Sequence, residues 1–300
     1  MSALHNSCPT STFSVAVQNG STRLNKRASK WLYDKLACPA CFSDIHYNEY
    51  GIGNMACISC GKKFRWVEHI PVLLDSETSD PDIERLSTIW NNAAPVWSSM
   101  IQKPSSVFRA AEYPILDSMS GEILEIGCGD GRLFPEYEKR GLHVIGLDFA
   151  PAMLQKAIPF GFPLLLADAH RIPLRKGSMD GVIVPFSTIR YLDYSRFFNQ
   201  AARVLRPGGF LGFTAWNRWY NIRYRTRETL DWRSGRDVGR MQELLEPLEG
   251  EGFSVKSVFG VFSVPPRIPL LRHISFRVPG IIGTRLSRDI VVIAQKNNGV

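Results

Sequence analysis

The sequence predicts an α/β protein, a doubly wound sheet of seven strands preceded by a small module built on four cysteines. Three observations predict it. Residues 111–300 alternate short apolar runs with amphipathic stretches, the rhythm of repeated strand–helix units. The apolar run Leu124-Glu125-Ile126 passes straight into a turn with three glycines, Gly127, Gly129 and Gly131, as a strand does before the first helix of such a sheet. Near the start, the pairs Cys38/Cys41 and Cys57/Cys60 stand 15 residues apart.

In chain order, residues 1–30 read as a polar tail and 31–75 as a compact Cys-paired module ending at Ile70-Pro71-Val72-Leu73-Leu74. Residues 76–110 open on a Ser/Asp/Thr-rich linker and continue as a helix from Ile83, with Leu86, Ile89 and Trp90 on one face. Residues 111–300 form the main domain. Its strands are expected at Glu122–Ile126, His143–Leu147, Pro163–Ala167, Gly181–Pro185, Gly209–Thr214, Ser254–Phe259 and Asp289–Ala294, the last two antiparallel at one edge. A helix is expected over Leu133–Arg140, and Pro207-Gly208-Gly209 marks a sharp turn into the fifth strand.

Composition narrows the class. Apolar residues make up 44% and charged residues 21% of 300, ordinary for a globular chain. No apolar run approaches the roughly 18 residues a membrane-spanning helix needs. The net charge is +8, and residues 217–300, with 14 Lys/Arg against 8 Asp/Glu, carry most of it. An anionic partner would meet that end; otherwise it is a solvated basic face. The first thirty residues lack Asp and Glu and are rich in Ser and Thr, which fits a disordered tail in a cytoplasmic protein or an organellar transit peptide. Six cysteines in such a chain are thiols or metal ligands rather than a disulfide framework.

The chemistry centres on Leu124-Glu125-Ile126-Gly127-Cys128-Gly129-Asp130-Gly131-Arg132. Glycines there let the backbone turn tightly and let a ligand approach with no Cβ in the way. The second strand ends at Asp148, where a carboxylate can accept hydrogen bonds from two ribose hydroxyls. The third ends at Ala167-Asp168-Ala169, the place for a side chain near an adenine ring, and Leu205-Arg206-Pro207-Gly208-Gly209-Phe210 opens the fifth. Over about residues 120–215 these elements resemble the class I S-adenosylmethionine-dependent methyltransferases in order and spacing. The resemblance implies their seven-stranded Rossmann-like sheet and S-adenosylmethionine as cofactor. It implies that Glu125 lies near the methionine moiety, that Gly127, Cys128, Gly129 and Gly131 form the cofactor turn, that Asp148 holds the ribose, that Asp168 and Ala169 border the adenine, and that Phe149 and Met153 pack nearby. A nicotinamide dehydrogenase would instead carry Gly-x-Gly-x-x-Gly, and this turn is Gly-x-Gly-x-Gly. No catalytic side chain is assigned, because a methyl sulfonium chiefly needs an aligned nucleophile. His170 reads as a surface loop residue and Tyr191 as a pocket wall. Pro185-Phe186-Ser187-Thr188 lacks the Asn/Asp-Pro-Pro-Tyr/Phe signature of exocyclic-amine methylation.

Two Cys-x2-Cys knuckles supply four thiolates, a complete tetrahedral set for a structural zinc ion. The module, with Leu36-Ala37 before the first pair, Gly61 after the second and Ile70–Leu74 closing it, resembles the zinc ribbons that activate tRNA, rRNA and protein methyltransferases. A ribbon ahead of a catalytic domain also occurs in bacterial enzymes that methylate a guanine of large-subunit rRNA.

For the acceptor, Ile89–Trp97 resembles the lid helix of quinone-pathway and related small-molecule methyltransferases, which favours a small-molecule or lipid-like substrate. The alternative is RNA, on the interleaved Arg and aromatic residues of Arg218–Arg227. Residues 265–288, with five Arg, no acid and many apolar residues, suit an anionic membrane surface or a greasy substrate as well as RNA.

Overall fold

The computed structural model describes residues 26–47, 54–75, 77, 80, 82–101, 106–219, 238–263, 275–285 and 287–299. Most of the polar tail, most of the Arg/aromatic stretch and residues 265–274 of the basic-apolar stretch therefore lie outside the described residues.

The elements run α1 (Lys26–Tyr33), β1 (Ile45–His46), β2 (Asn54–Cys57), β3 (Lys63–Val67), β4 (Ile70–Val72), α2 (Ile83–Ile101), α3 (Ser106–Asp117), β5 (Glu122–Ile126), α4 (Phe134–Arg140), β6 (His143–Asp148), α5 (Pro151–Ala157), β7 (Leu164–Leu166), β8 (Met179–Val184), α6 (Tyr194–Val204), β9 (Leu205–Trp216), α7 (Gln242–Gly250), β10 (Phe253–Ser263), β11 (Ser275–Pro279), α8 (Gly280–Thr284) and β12 (Asp289–Lys296). All seven expected strands form, and the last two pair antiparallel as expected. The expected sheet of seven is corrected: among the described residues one sheet holds twelve strands, ordered β1-β2-β3-β4-β7-β6-β5-β8-β9-β12-β10-β11.

The extra strands have physical causes. β11 covers β10, which would otherwise be an open edge. At the other side β7, three buried leucines, is covered by β4, paired in parallel through Val72 and Leu166 with a Leu73 N–H···O=C Leu166 bond of 2.9 Å. The short β1–β4 meander therefore continues the main sheet. Its side chains join the same core: Leu32, Tyr33, Leu36, Met55, Phe64 and Leu73 pack in one cluster with Leu124, Leu147, Leu165 and Phe213.

Polar contacts reinforce this junction. The guanidinium of Arg171 donates to the carbonyls of Pro39 and Ala40 at 2.8 and 2.5 Å, and Arg203 lies 4.0 Å from the Phe42 ring centroid. Glu122 accepts from Trp31, Lys35 and Arg206, so α1 is tied to the start of the first central strand. The helix α1 begins inside the stretch that the sequence reads as tail.

Candidate active site

The cleft opens at the C-terminal ends of β5, β6 and β8, where ligands bind in open α/β sheets. It encloses about 720 Å³ of empty space, partly open to solvent. Of the expected cofactor residues, Glu125, Gly127, Cys128, Gly129, Asp148, Phe149 and Met153 line it; Gly131, Asp168 and Ala169 do not.

Parallel pairing of β5 with β6 puts Glu125 level with Gly146 and the glycine turn beside Asp148. The Gly129 N–H donates to Asp148 Oδ2 at 2.9 Å and the Ala150 N–H to Oδ1 at 2.8 Å. The glycines divide the labour. All three have φ between +55° and +78°, a region costly for side chains. A Cβ on Gly127 would meet Thr188 at 2.5 Å, so that glycine serves packing, whereas at Gly129 the nearest atom is Trp97 Nε1 at 4.0 Å. Gly129 is therefore the glycine that leaves the cleft open to a ligand.

Burial tunes the two carboxylates. Asp148 is pushed up to about 6 by burial, against the backbone N–H groups of Ala150, Gly129 and Phe149. Glu125 is pushed up to about 8 by burial, which outweighs the nearby Arg132. Its Oε2 is buried without a close hydrogen bond among the described residues, facing a buried Tyr137 hydroxyl that also lacks one. A buried acceptor without a donor is costly unless a ligand supplies one, and an ammonium group would do so. The donor set thus fits S-adenosylmethionine: a carboxylate for ribose hydroxyls, an orphaned carboxyl oxygen for an amino group, and a glycine with room in front of it.

Other lining residues come from segments to which the sequence assigns no cofactor contact: the stretch after strand four and the helix read as lid-like. Phe186 and Ser187, just after β8, both sit at positive φ, 51° and 56°, and the Ser187 N–H is held by Thr214 Oγ1 at 2.7 Å. Such strain in non-glycine residues collects at functional sites, and here it turns the Phe186 ring into the cleft. Trp97 meets Phe186 edge-on at 5.3 Å, and Trp90 meets Trp97 at 5.0 Å and Tyr191 at 5.9 Å. With Trp216 these rings line the cleft, and Trp90, Trp97 and Phe186 pack in one cluster with Phe149, Ala150 and Met153. Tyr191 is a pocket wall, as expected. Arg132 is fixed by a bidentate bond to the buried Glu112 of α3 at 2.6 and 2.8 Å and lies over Phe108 and Phe186. Only the position after strand four could have hinted at Phe186, and nothing local hints at Glu112.

One expectation needs correction. His170 is not on a surface loop: it is 5% exposed, with Nδ1 3.0 Å from Asp168 Oδ1 and Nε2 accepting the Asp193 N–H at 2.9 Å. Asp168 is held beside it, its Oδ1 also accepting the His170 N–H and its Oδ2 the Asp80 N–H, each at 2.8 Å. Gly131 packs against Phe134, which a Cβ there would approach to 2.7 Å.

The four sulfurs of Cys38, Cys41, Cys57 and Cys60 lie within 4.8 Å of one another. The N–H groups of Ser59 and Cys60 point at Cys57 Sγ at 3.4 Å, and Gly61 at φ +71° completes the turn. The quartet lies outside the cleft lining, at the end of β2 and beside Arg171, which holds the carbonyls of the first knuckle.

Comparison with known proteins agrees with this geometry. A methyltransferase domain family matches residues 124–213. An uncharacterized methyltransferase of Mycobacterium tuberculosis is 38% identical over 118 residues, 38% of this chain and 47% of the relative. A demethylmenaquinone methyltransferase of Thermus thermophilus is 36% identical over 104 residues, 32% of this chain and 47% of the relative. The chain thus spans about half the length of these curated relatives. Among solved structures, a SAM-dependent methyltransferase from Thermotoga maritima superimposes with a TM-score of 0.57 at 22% identity, covering 71% of this chain and 100% of the other. A chain of the complex between the Haloferax volcanii Trm112 methyltransferase activator and a methyltransferase does so with a TM-score of 0.53 at 15% identity, covering 70% and 98%. Residues 124–213 thus match a methyltransferase domain family, and the chain has the fold of the class I S-adenosylmethionine-dependent methyltransferases.

Proposed function

We propose that the chain transfers a methyl group from S-adenosylmethionine to a small, apolar or lipid-like acceptor. The observation that carries this reading is that five aromatic side chains, Trp90, Trp97, Phe186, Tyr191 and Trp216, line the cleft. The relatives named demethylmenaquinone methyltransferase support it. Among the described residues no helix is long and apolar enough to cross a membrane.

In this reading Asp148 accepts the ribose hydroxyls, Glu125 Oε2 accepts from the amino group of the methionine moiety, and the Gly127–Gly129 backbone lies against the cofactor, with Phe149 and Met153 packing beside it and Ala169 near the adenine. When bound, the sulfonium supplies an electrophilic methyl group. The aromatic wall excludes water and holds the acceptor in line, which is most of what such a transfer needs. Cys38, Cys41, Cys57 and Cys60, whose sulfurs lie within 4.8 Å of one another, hold one zinc ion with a structural role.

The test is incubation of the purified protein with methyl-labelled S-adenosylmethionine and a cell extract, followed by separation of RNA, protein and organic-soluble fractions. Label in the organic fraction is expected. Label in RNA alone would overturn the acceptor assignment and favour the basic C-terminal third as an RNA surface.

A further inference from the structure

Past Trp216, which lines the cleft, the chain leaves β9 through Asn217, and a second groove opens there. Asn217 is 2% exposed and ties the two sides of this groove together. Its Nδ2 donates to the carbonyls of Thr284, Arg285 and Ser287 at 2.6, 3.3 and 2.9 Å, and its Oδ1 accepts the Trp219 N–H at 2.9 Å. On one side the Arg218 N–H donates to the Val238 carbonyl and Trp219 Nε1 to the Gly239 carbonyl, each at 3.0 Å. On the other side lies the end of α8. The groove encloses about 1360 Å³ of empty space, open to solvent. The protein's own hydrogen bonds set its sides, so it is formed before any partner arrives.

Its lining is apolar with a basic share. Val238, Met241, Leu245 and Ile290 line it together with Trp219 and Ile281. Trp219 is 58% exposed and Ile281 51%, two of the five large apolar side chains so exposed among the described residues. Scattered singly, such residues are ordinary, but these two share one groove. Arg240 and Arg285, both exposed, also line it, and among the described residues no acid does. Glu243 stands beside Arg218 at Gly239, outside the lining.

We propose that this groove is a docking surface for an anionic lipid bilayer. Trp219 and Ile281 enter the boundary between headgroups and acyl chains, and Arg240 and Arg285 meet the lipid phosphates. A tryptophan whose N–H is satisfied and whose ring is exposed is a side chain for the edge of a membrane. Arginines beside it add attraction to an anionic surface. Single-stranded RNA would call for several aromatic platforms, whereas this groove has one aromatic ring over an aliphatic floor, which matches hydrocarbon. Trp219 follows the cleft-lining Trp216 by three residues, so a docked chain would hold the cleft near the bilayer. That use, delivery of a lipid-like acceptor, rests on the function proposed above; the docking itself does not.

The experiment is co-sedimentation of the full chain with vesicles of phosphatidylcholine alone and of phosphatidylcholine with phosphatidylglycerol in equal parts. Wild type is compared with Trp219→Ala, Ile281→Ser, Arg240→Gln and Arg285→Gln. Melting temperature and S-adenosylhomocysteine titration serve as fold controls and stay unchanged. Wild type is expected to bind the anionic vesicles at least about tenfold more tightly than the neutral ones. Each arginine variant weakens that binding by about fivefold, and the loss of either apolar side chain by about five- to tenfold. Ile281→Ser changes an exposed position and keeps the test alive should Trp219→Ala fail to fold. No preference for anionic vesicles, or binding undiminished in Ile281→Ser and both arginine variants, would overturn the proposal. So would a single-stranded RNA oligomer that displaces the vesicles and loses affinity in the same variants, which would make this a nucleic-acid surface. Vesicle binding with the expected variant losses, in a protein with no affinity for S-adenosylhomocysteine, would support the surface and sink the cofactor reading instead.

Discussion

Asp148 and Glu125 are both carboxylates held away from water, and they should fail in different ways. Asp148→Ala is expected to leave the fold intact and to weaken cofactor binding by about 10- to 100-fold, the loss of charged hydrogen bonds to two hydroxyls. Unchanged affinity by calorimetry would refute the ribose role. Glu125 has a folded pKa of about 8 against an ordinary 4.5, so the folded protein holds a proton that the unfolded chain has released. That contribution to stability is complete below about pH 4.5 and is lost as pH rises through about 8. Glu125→Gln should flatten the fall of melting temperature over that window. If an ammonium group ionises Glu125 on binding, cofactor binding near neutral pH should release a proton. Titrations in buffers of different ionisation enthalpy would show it, and a buffer-independent heat would contradict it.

At the scale of elements, α2 and the cysteine meander each join segments distant in sequence. The inner face of α2, formed by Leu86, Ala93, Ala94 and Trp97, packs with Ala150, Met153 and Phe149 around α5. Truncating Trp97, which is 7% exposed, is expected to cost about 3 kcal/mol of stability and to raise the acceptor KM. Trp90→Ala, at a half-buried position, should raise the acceptor KM with a smaller stability cost, read by thermal unfolding beside steady-state kinetics. For the meander, elemental analysis should find one zinc per chain. Because its apolar residues belong to the main core, chelation should lower the melting temperature of the whole chain rather than release a separate transition. A metal-free preparation of full stability would count against a structural ion.

Over the whole molecule, the sheet has no bare flank at β7, because β4 occupies it, and Asp75 at the end of that segment is held by Lys62, two residues beyond the last cysteine. The chain then passes through Asp80 into α2, so the cysteine module, the edge of the sheet and the acceptor wall are consecutive in both sequence and space. Half of the Lys and Arg residues of 217–300 lie outside the described residues; of the described ones, Lys256 and Arg277 sit on β10 and β11, at the opposite flank of the sheet. That separation predicts that moderate salt should change any association with anionic surfaces far more than cofactor affinity, because exposed charges are screened and the buried carboxylates are not. Calorimetry at two ionic strengths beside vesicle co-sedimentation would check it; equal salt sensitivity would place the basic flank at the cleft.

The sequence by itself determined what depends on neighbours along the chain: seven strands from short apolar runs, the glycine turn with Asp148 some twenty residues on, and the cysteine quartet from its spacing. These follow from side-chain period, φ preference and ligand geometry, which are local properties. Tertiary structure decided the rest. Strands β1 to β4 are too short to declare themselves and exist because β7 needed a partner. His170 is buried because Asp168 and Asp193 meet its two nitrogens, a pairing that spans 23 residues. Asp168 carries the expected residue type at the expected place, and its oxygens also accept from His170 and from Asp80, 88 residues upstream. The aromatic wall comes from three segments around residues 90–97, 186–191 and 216, none of which is near the others in sequence. Pairings of this kind are set by which surfaces the closed sheet brings together, and no local pattern encodes them.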